Sequence, residues 1–191
     1  GGHAFLPDGR LIVVGGDREG YVRPTPVKAI HEFVPGGPGG GHWHYLGDMR
    51  QGRWYPTAAT LPDGRVLIAG GHSRNDIAPR EANNTFEIYD RAVGLGEQTG
   101  VLDVLHLDAA LYPFVVVLPD HTALIHGATT SQFLDLRSMT PLPGALEAAD
   151  RPDRASRTYG VEGACVLLPL RPTTQPPYRA TVMMIGGGGP G

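Results

Sequence analysis

The stretch Leu6-Pro7-Asp8-Gly9-Arg10-Leu11-Ile12-Val13-Val14-Gly15-Gly16 returns almost unchanged as Leu61-Pro62-Asp63-Gly64-Arg65-Val66-Leu67-Ile68-Ala69-Gly70-Gly71. A looser copy runs from Leu118-Pro119-Asp120-His121-Thr122 to Ile125-His126-Gly127. An interrupted one opens at Leu168-Pro169 and closes at Met184-Ile185-Gly186-Gly187. Marked on Gly15, Gly70, Gly127 and Gly186, the steps are 55, 57 and 59 residues. In the first two copies Asp-Gly is a hairpin signal, and the short apolar run after it suits a strand buried on both faces. A period this long, with β-structure in every copy, predicts an all-β propeller with about three blades and part of a fourth.

Working outward, Asp8-Gly9 and Asp63-Gly64 read as two-residue type I′ turns, and Asp120-His121 as a turn of another type. The closing Gly-Gly pairs let the backbone turn tightly where blades crowd. Third strands are expected at Ile30 to Val34, Phe86 to Tyr89 and Gln132 to Leu136. Fourth strands are fainter, around Trp43 to Leu46, Leu102 to Leu107 and Met139 to Leu142. Loops rich in Gly, Pro and charge lie between: Pro35 to Gly41, Ser73 to Asn84, and Pro143 to Arg157. The first is no phosphate loop, because it lacks a spaced Lys-Ser/Thr and no helix follows.

A 191-residue chain can bury a single-domain core. Its first residue is Gly, and its last lie in a glycine run just past the fourth doublet. Residues 1–191 therefore read as a partial propeller domain from a longer chain, since repeats need neighbours to cover their faces. Isolated, such a piece is expected to expose apolar faces and strand edges and to be poorly soluble.

The net charge is −3, and Lys28 is the only lysine, with the arginines scattered. That argues against a nucleic-acid partner. No apolar stretch approaches the length of a membrane span. Cys165 is the single cysteine and cannot form an internal disulfide.

Among candidate functional residues Tyr55 leads. It lies in Arg53-Trp54-Tyr55-Pro56, just ahead of the second hairpin, where a side chain entering a blade's innermost strand can face the axis at which sites gather. A phenol is protonated near neutral pH, so metal ligation requires a nearby cation, or the metal itself, to favour phenolate. The other reading of Arg53-Trp54-Tyr55 is ordinary packing between blades. His42-Trp43-His44 puts two imidazoles on one side of a strand without a third ligand nearby in sequence, and reads as an exposed fourth strand. His126 reads as a hydrogen-bonded core histidine. Asn83-Asn84-Thr85 is a glycosylation sequon, meaningful only in a secreted eukaryotic protein. The carboxylates show no spacing that suggests a paired-acid hydrolase.

Arg53-Trp54-Tyr55 with Leu61-Pro62-Asp63-Gly64-Arg65-Val66, then Asn84-Thr85-Phe86-Glu87-Ile88-Tyr89, Leu111-Tyr112-Pro113-Phe114, and Arg157-Thr158-Tyr159 leading to Val166-Leu167-Leu168-Pro169-Leu170 follow one another along the chain. In that order they resemble the copper-radical oxidases, the galactose oxidase and glyoxal oxidase family on a seven-bladed kelch propeller, and favour its glyoxal oxidase branch. The resemblance implies that Tyr55 is catalytic: a copper ligand and the radical tyrosine, joined by a thioether to a cysteine of the preceding blade. Such a phenol is easier to oxidise, and with copper it takes two electrons from a small aldehyde or primary alcohol and passes them to O2, giving H2O2. Register on the first doublet puts the partner cysteine at the position before Gly1, so Cys165 is not that residue. The remaining ligands, an axial tyrosine, its adjacent histidine and a last histidine, lie in later segments of the family. The resemblance also implies an extracellular parent protein. One departure stands out: galactose oxidase stacks a tryptophan over its radical shortly after the second doublet, where this chain has Gly71-His72-Ser73. His72 fills part of that space, or is a plain loop residue.

A second function remains open, a non-catalytic kelch module binding protein or carbohydrate through its loops, since one fold serves many functions.

Overall fold

The computed structural model describes residues 1–18, 25–73, 82–95, 100–102, 105, 111–143, 146–147, 156–170 and 180–188. The described chain is all-β and antiparallel, an incomplete propeller-like row of four sheets. The first comprises β1 (Gly2–Phe5), β2 (Leu11–Val14), β3 (Ala29–Pro35) and β4 (Gly41–Asp48), paired in chain order. The second runs β5 (Thr57–Thr60), β6 (Val66–Ala69), β7 (Thr85–Asp90) and β8 (Gly94–Leu95), with β9 (Gly100–Val101) also on β7. The third repeats this plan in β10 (Phe114–Val117), β11 (Thr122–Gly127), β12 (Thr130–Asp135) and β13 (Thr140–Pro141), with β14 (Leu146–Glu147) on β12. β15 (Gly163–Leu167) and β16 (Val182–Gly186) form the fourth. The leading strands β1, β5, β10 and β15 lie in succession, each next to the leading strand of the following sheet.

The hairpins form where the repeat places them, but with a different turn. Gly9 and Gly64 have φ of 83° and 87°, whereas Asp8 and Asp63 are not left-handed. Gly9 N–H donates to Leu6 C=O at 2.9 Å, and Leu6 N–H to Arg10 C=O at 2.8 Å. This is a type I turn closed by a left-handed residue, with Pro at its second position, not the expected type I′. The aspartate carboxylate caps the turn by accepting Arg10 N–H at 3.2 Å, and its counterpart accepts Arg65 N–H at 3.1 Å. The third copy uses the same turn. Asp120 accepts Thr122 N–H at 3.1 Å, and His121 takes the left-handed place at φ 65°.

β6 is buried on both faces because side chains alternate across a strand. Val66 and Ile68 join Leu6, Ile12, Val14, Ile30 and Met49 in a core against the first sheet. Leu67 and Ala69 join Phe86, Ile88, Ala123, Ile125 and Leu134 in a core against the third. Full burial of each such aliphatic side chain contributes about 1.5–3 kcal/mol. β2 departs from expectation: Ile12 and Val14 are buried, but Leu11 and Val13 only half-buried. Their face of the first sheet carries exposed Phe5, Trp43 and Tyr45, and among the described residues no other sheet packs on it.

The third strands fall where expected, and β4 and β13 match two of the fourth strands. Leu102 to Leu107 does not: its described residues, Leu102 and Leu105, are buried in the core outside any strand, and β8 and β9 supply the outer pairing. Most of the loops expected at Ser73 to Asn84 and Pro143 to Arg157 lie outside the described residues.

Candidate functional site

Tyr55 lies two residues before β5, in a loop fixed from beneath by Arg53. That guanidinium is fully buried, and every nitrogen is used. Nε and Nη2 donate to Glu87 Oε1 at 3.2 and 2.8 Å, Nη1 to the carbonyls of Gly70 and Thr85 at 2.8 and 3.0 Å, and Nη2 also to Thr85 Oγ1 at 2.9 Å. Glu87 Oε2 accepts Arg50 N–H at 2.8 Å, so the same pair holds both ends of the loop 50–53. Burial lowers the Arg53 pKa from its ordinary value, and Glu87 opposes that pull.

The doublets owe their glycines to this loop as much as to turning. Gly16 N–H donates to Arg53 C=O at 2.9 Å, and a Cβ on Gly15 would strike that same carbonyl. A Cβ on Gly71 would meet Trp54 C=O at 2.9 Å. Glycine here permits close backbone approach, and the two sheets grip the segment between them. Trp54 is further fixed by reciprocal backbone bonds with His72, at 2.9 and 2.8 Å.

So held, Tyr55 adopts φ 61°, a conformation that costs a residue with a side chain about 1–3 kcal/mol and persists only where surroundings over-determine it. Its half-buried ring stacks on Trp54, centroids 4.2 Å apart and planes at 20°, and on Tyr112, 4.7 Å and 21°. At those separations one ring face has no room for both neighbours, so they cover opposite faces. Tyr159 meets Tyr55 edge-on at 4.8 Å and 68°, a favoured aromatic geometry. Burial, and secondarily Tyr159, raises the Tyr112 pKa. Tyr112 and Tyr159 also line an open cleft of about 570 Å³ with Phe114, Thr158 and Glu162.

Residues 1–191 match, along their whole length, the family described as "Glyoxal oxidase N-terminus". The chain belongs to this glyoxal oxidase family. It is 34% identical over 190 residues to the aldehyde oxidase GLOX of Vitis pseudoreticulata, covering 96% of this chain and 32% of that protein. It is 32% identical over 212 residues to a WSC domain-containing protein of Arthroderma benhamiae, covering 99% of this chain and 20% of that one. Among solved structures, a fungal alcohol oxidase of the AA5 family in complex with copper aligns at 20% identity and a TM-score of 0.49, over 62% of this chain and 24% of that one. The chain thus spans a fifth to a third of the length of these curated relatives.

Of the other sequence candidates, His72 borders Tyr55's ring cage through Trp54 and the rest stand apart from it. His72 is buried and packs near Trp54, centroids 5.9 Å apart. The stacking that Gly71-His72-Ser73 leaves in question is supplied by Trp54 and Tyr112. His42 and His44 are edge-on neighbours at 4.7 Å on exposed β4, as expected. Among the described residues no three His, Cys, Asp or Glu side chains cluster as a metal site. His126 is fully buried, its Nδ1 2.9 Å from Ser131 Oγ, the core histidine the sequence predicts. Cys165 lies half-buried in β15 opposite Met184, its thiol pKa raised by burial. Asn83 of the sequon is 2% exposed, and its Oδ1 accepts both the N–H and the hydroxyl of Thr85, at 3.1 and 2.6 Å. That asparagine shapes the start of β7, and no room is left for a glycan.

Sequence reasoning singled out Tyr55 but assigned no role to Glu87, Tyr112 or Tyr159. A signal existed for one of them. Tyr112-Pro113 precedes β10 as Tyr55-Pro56 precedes β5, in the register of the repeat.

Proposed function

We infer that Tyr55 is the copper ligand and redox-active residue of an oxidase that converts small aldehydes or primary alcohols with reduction of O2 to H2O2. The observation carrying this reading is a phenol held at φ 61° inside a ring cage, on a loop anchored by a fully buried Arg53–Glu87 pair. Membership of a family named for glyoxal oxidase, and a relative named as an aldehyde oxidase, support it.

The residues present fit one position of a copper centre, the phenol oxygen of Tyr55. Among the described residues no imidazole or thiolate set completes it. On this reading the further ligands come from elsewhere in the full-length protein. When bound, copper would favour the phenolate and share the two-electron oxidation with the ring. The chain's own part is to orient the phenol, cover its ring faces and limit the water that reaches it. The thioether partner proposed for Tyr55 is a cysteine at the position before Gly1. Its support is close approach: a Cβ on Gly2 would meet Pro56 C=O at 2.8 Å. A seven-bladed kelch ring and secretion of the parent protein belong to the same reading. Among the described residues no helix is long and apolar enough to cross a membrane.

The test uses the full-length protein loaded with copper and given methylglyoxal or a simple primary alcohol, with peroxide as the readout. Tyr55→Phe is expected to abolish peroxide formation while leaving the melting temperature in place. Retention of peroxide formation by that variant would overturn the assignment.

A further inference from the structure

We propose that Tyr112 is a positioning residue for Tyr55: its ring closes one face of the Tyr55 phenol, and its backbone fixes the loop that carries it. The chemistry this serves rests on the copper-oxidase reading, but the geometry does not.

Tyr55 and Tyr112 occupy the same place in consecutive sheets. Each lies two residues before a leading strand, each is followed by a buried proline, and both are left-handed, at φ 61° and 45°. Two bonds join their loops. Tyr112 N–H donates to Tyr55 C=O at 2.8 Å, and the Thr57 hydroxyl donates to Pro113 C=O at 2.7 Å. These bonds fix the backbone that carries both tyrosines, and the ring stack itself opposes rotation of the Tyr55 side chain away from Tyr112. Tyr159 then abuts both, 4.8 Å from Tyr55 and 5.9 Å from Tyr112.

The arrangement is not a by-product of core packing. Neither buried core includes Tyr55, Tyr112 or Tyr159. Tyr112 instead both stacks on Tyr55 and lines the cleft it shares with Tyr159 and Glu162, whereas Tyr55 does not line it. A flat ring at this position shields one face of the phenol from that opening and limits its torsion. The ring does this, not the hydroxyl, so phenylalanine should serve as well.

The experiment follows nitration of individual tyrosines by tetranitromethane in the metal-free full-length protein, mapped by peptide mass spectrometry. N-acetyltyrosinamide added to the same reaction serves as the internal reference. Wild type and Tyr112→Phe are expected to protect Tyr55 equally. Tyr112→Ala should speed nitration of Tyr55 about five- to tenfold, the loss of one aromatic pair, with the added reference unchanged. If Tyr112→Ala does not fold, Tyr112→Leu fills the space without a flat ring and is read the same way. Wild-type protection in the Ala or Leu variant, or a Phe variant as reactive as Ala, overturns the proposal. If Tyr55 is not the redox residue, Tyr55→Phe keeps peroxide formation while the nitration contrast stands, so the two failures are distinguishable.

Discussion

Arg53 and Glu87 form a fully buried ion pair, Nη2 to Oε1 at 2.8 Å, that ties the loop carrying Tyr55 to β7 of its own sheet. Their side chains are 0% and 1% exposed, so neither charge reaches water to offset the loss of the other. Breaking such a pair from one side costs about 3–5 kcal/mol, far more than a surface pair is worth. Glu87→Ala should lower stability by that amount, read as a fall in denaturation midpoint of the full-length protein. The double change Arg53→Met with Glu87→Met removes the orphaned charge and should recover part of the loss. It should remain about 1–3 kcal/mol below wild type, because the carbonyls of Gly70 and Thr85 lose their donor. A Glu87→Ala protein as stable as wild type would contradict the buried pair.

His121 occupies the left-handed position that Gly9 and Gly64 fill in the other two turns. An imidazole-bearing residue pays for that conformation, and a glycine does not. His121→Gly should stabilise the protein by about 0.5–1 kcal/mol, less than the full steric cost because glycine gains entropy when unfolded. The reverse change, Gly9→Ala, meets no atom within 4 Å and should cost about 1 kcal/mol through φ alone. Equal unfolding midpoints for the two variants would refute the turn assignment.

The carboxyl of Asp63 is held below its ordinary value of 3.8, chiefly by the Arg65 guanidinium hydrogen bond, Nε to Oδ2 at 2.8 Å. A folded pKa below the unfolded one means stability that is present above the unfolded value and lost as pH falls through the folded value. The contribution of this group is therefore fully present and independent of pH near neutrality, and should be lost as acid titration takes the pH below 3.8. Asp63→Asn should flatten that acid limb. The effect is small, because Asp63 is half exposed and its pair is screened. An unchanged acid slope in the variant would rule out this linkage.

Phe5, Trp43 and Tyr45 are 68, 54 and 61% exposed on the face of the first sheet that no other described sheet covers. Phe33–Trp43 and His31–Tyr45 ring pairs, at 5.1 and 5.7 Å, join into one apolar band across β3 and β4. Residues 1–191 produced alone should self-associate through this band, seen as concentration-dependent mass in light scattering. Replacing Phe5, Trp43 and Tyr45 together by Ser should reduce that association. A concentration-independent monomer before mutation would contradict it.

Much of the fold was legible because its signals are local. Pro-Asp-Gly between two apolar runs specifies a hairpin within eleven residues, and repetition in step specifies the row of sheets. The turn type was misread because Asp-Gly serves two hairpins alike, and only the backbone angle at the aspartate separates them. Leu102 and Leu105 suggested a strand, but burial does not by itself impose strand geometry, and they fill the core from outside any strand. The real outer strands, Gly94–Leu95 and Gly100–Val101, are two residues each and too short for periodicity to show.

By itself the sequence determined the all-β class, the hairpins, and Tyr55 as the residue ahead of the second one. These depend on spacing along the chain, which local sterics convert directly into turns and strands. Only the tertiary structure decided that Tyr112 and Tyr159 close around Tyr55, and that Glu87 pairs with Arg53, 34 residues away, to hold the loop that carries it. Those contacts arise where the loops ahead of the leading strands of neighbouring sheets meet. No local pattern records that meeting, because it depends on how whole sheets pack.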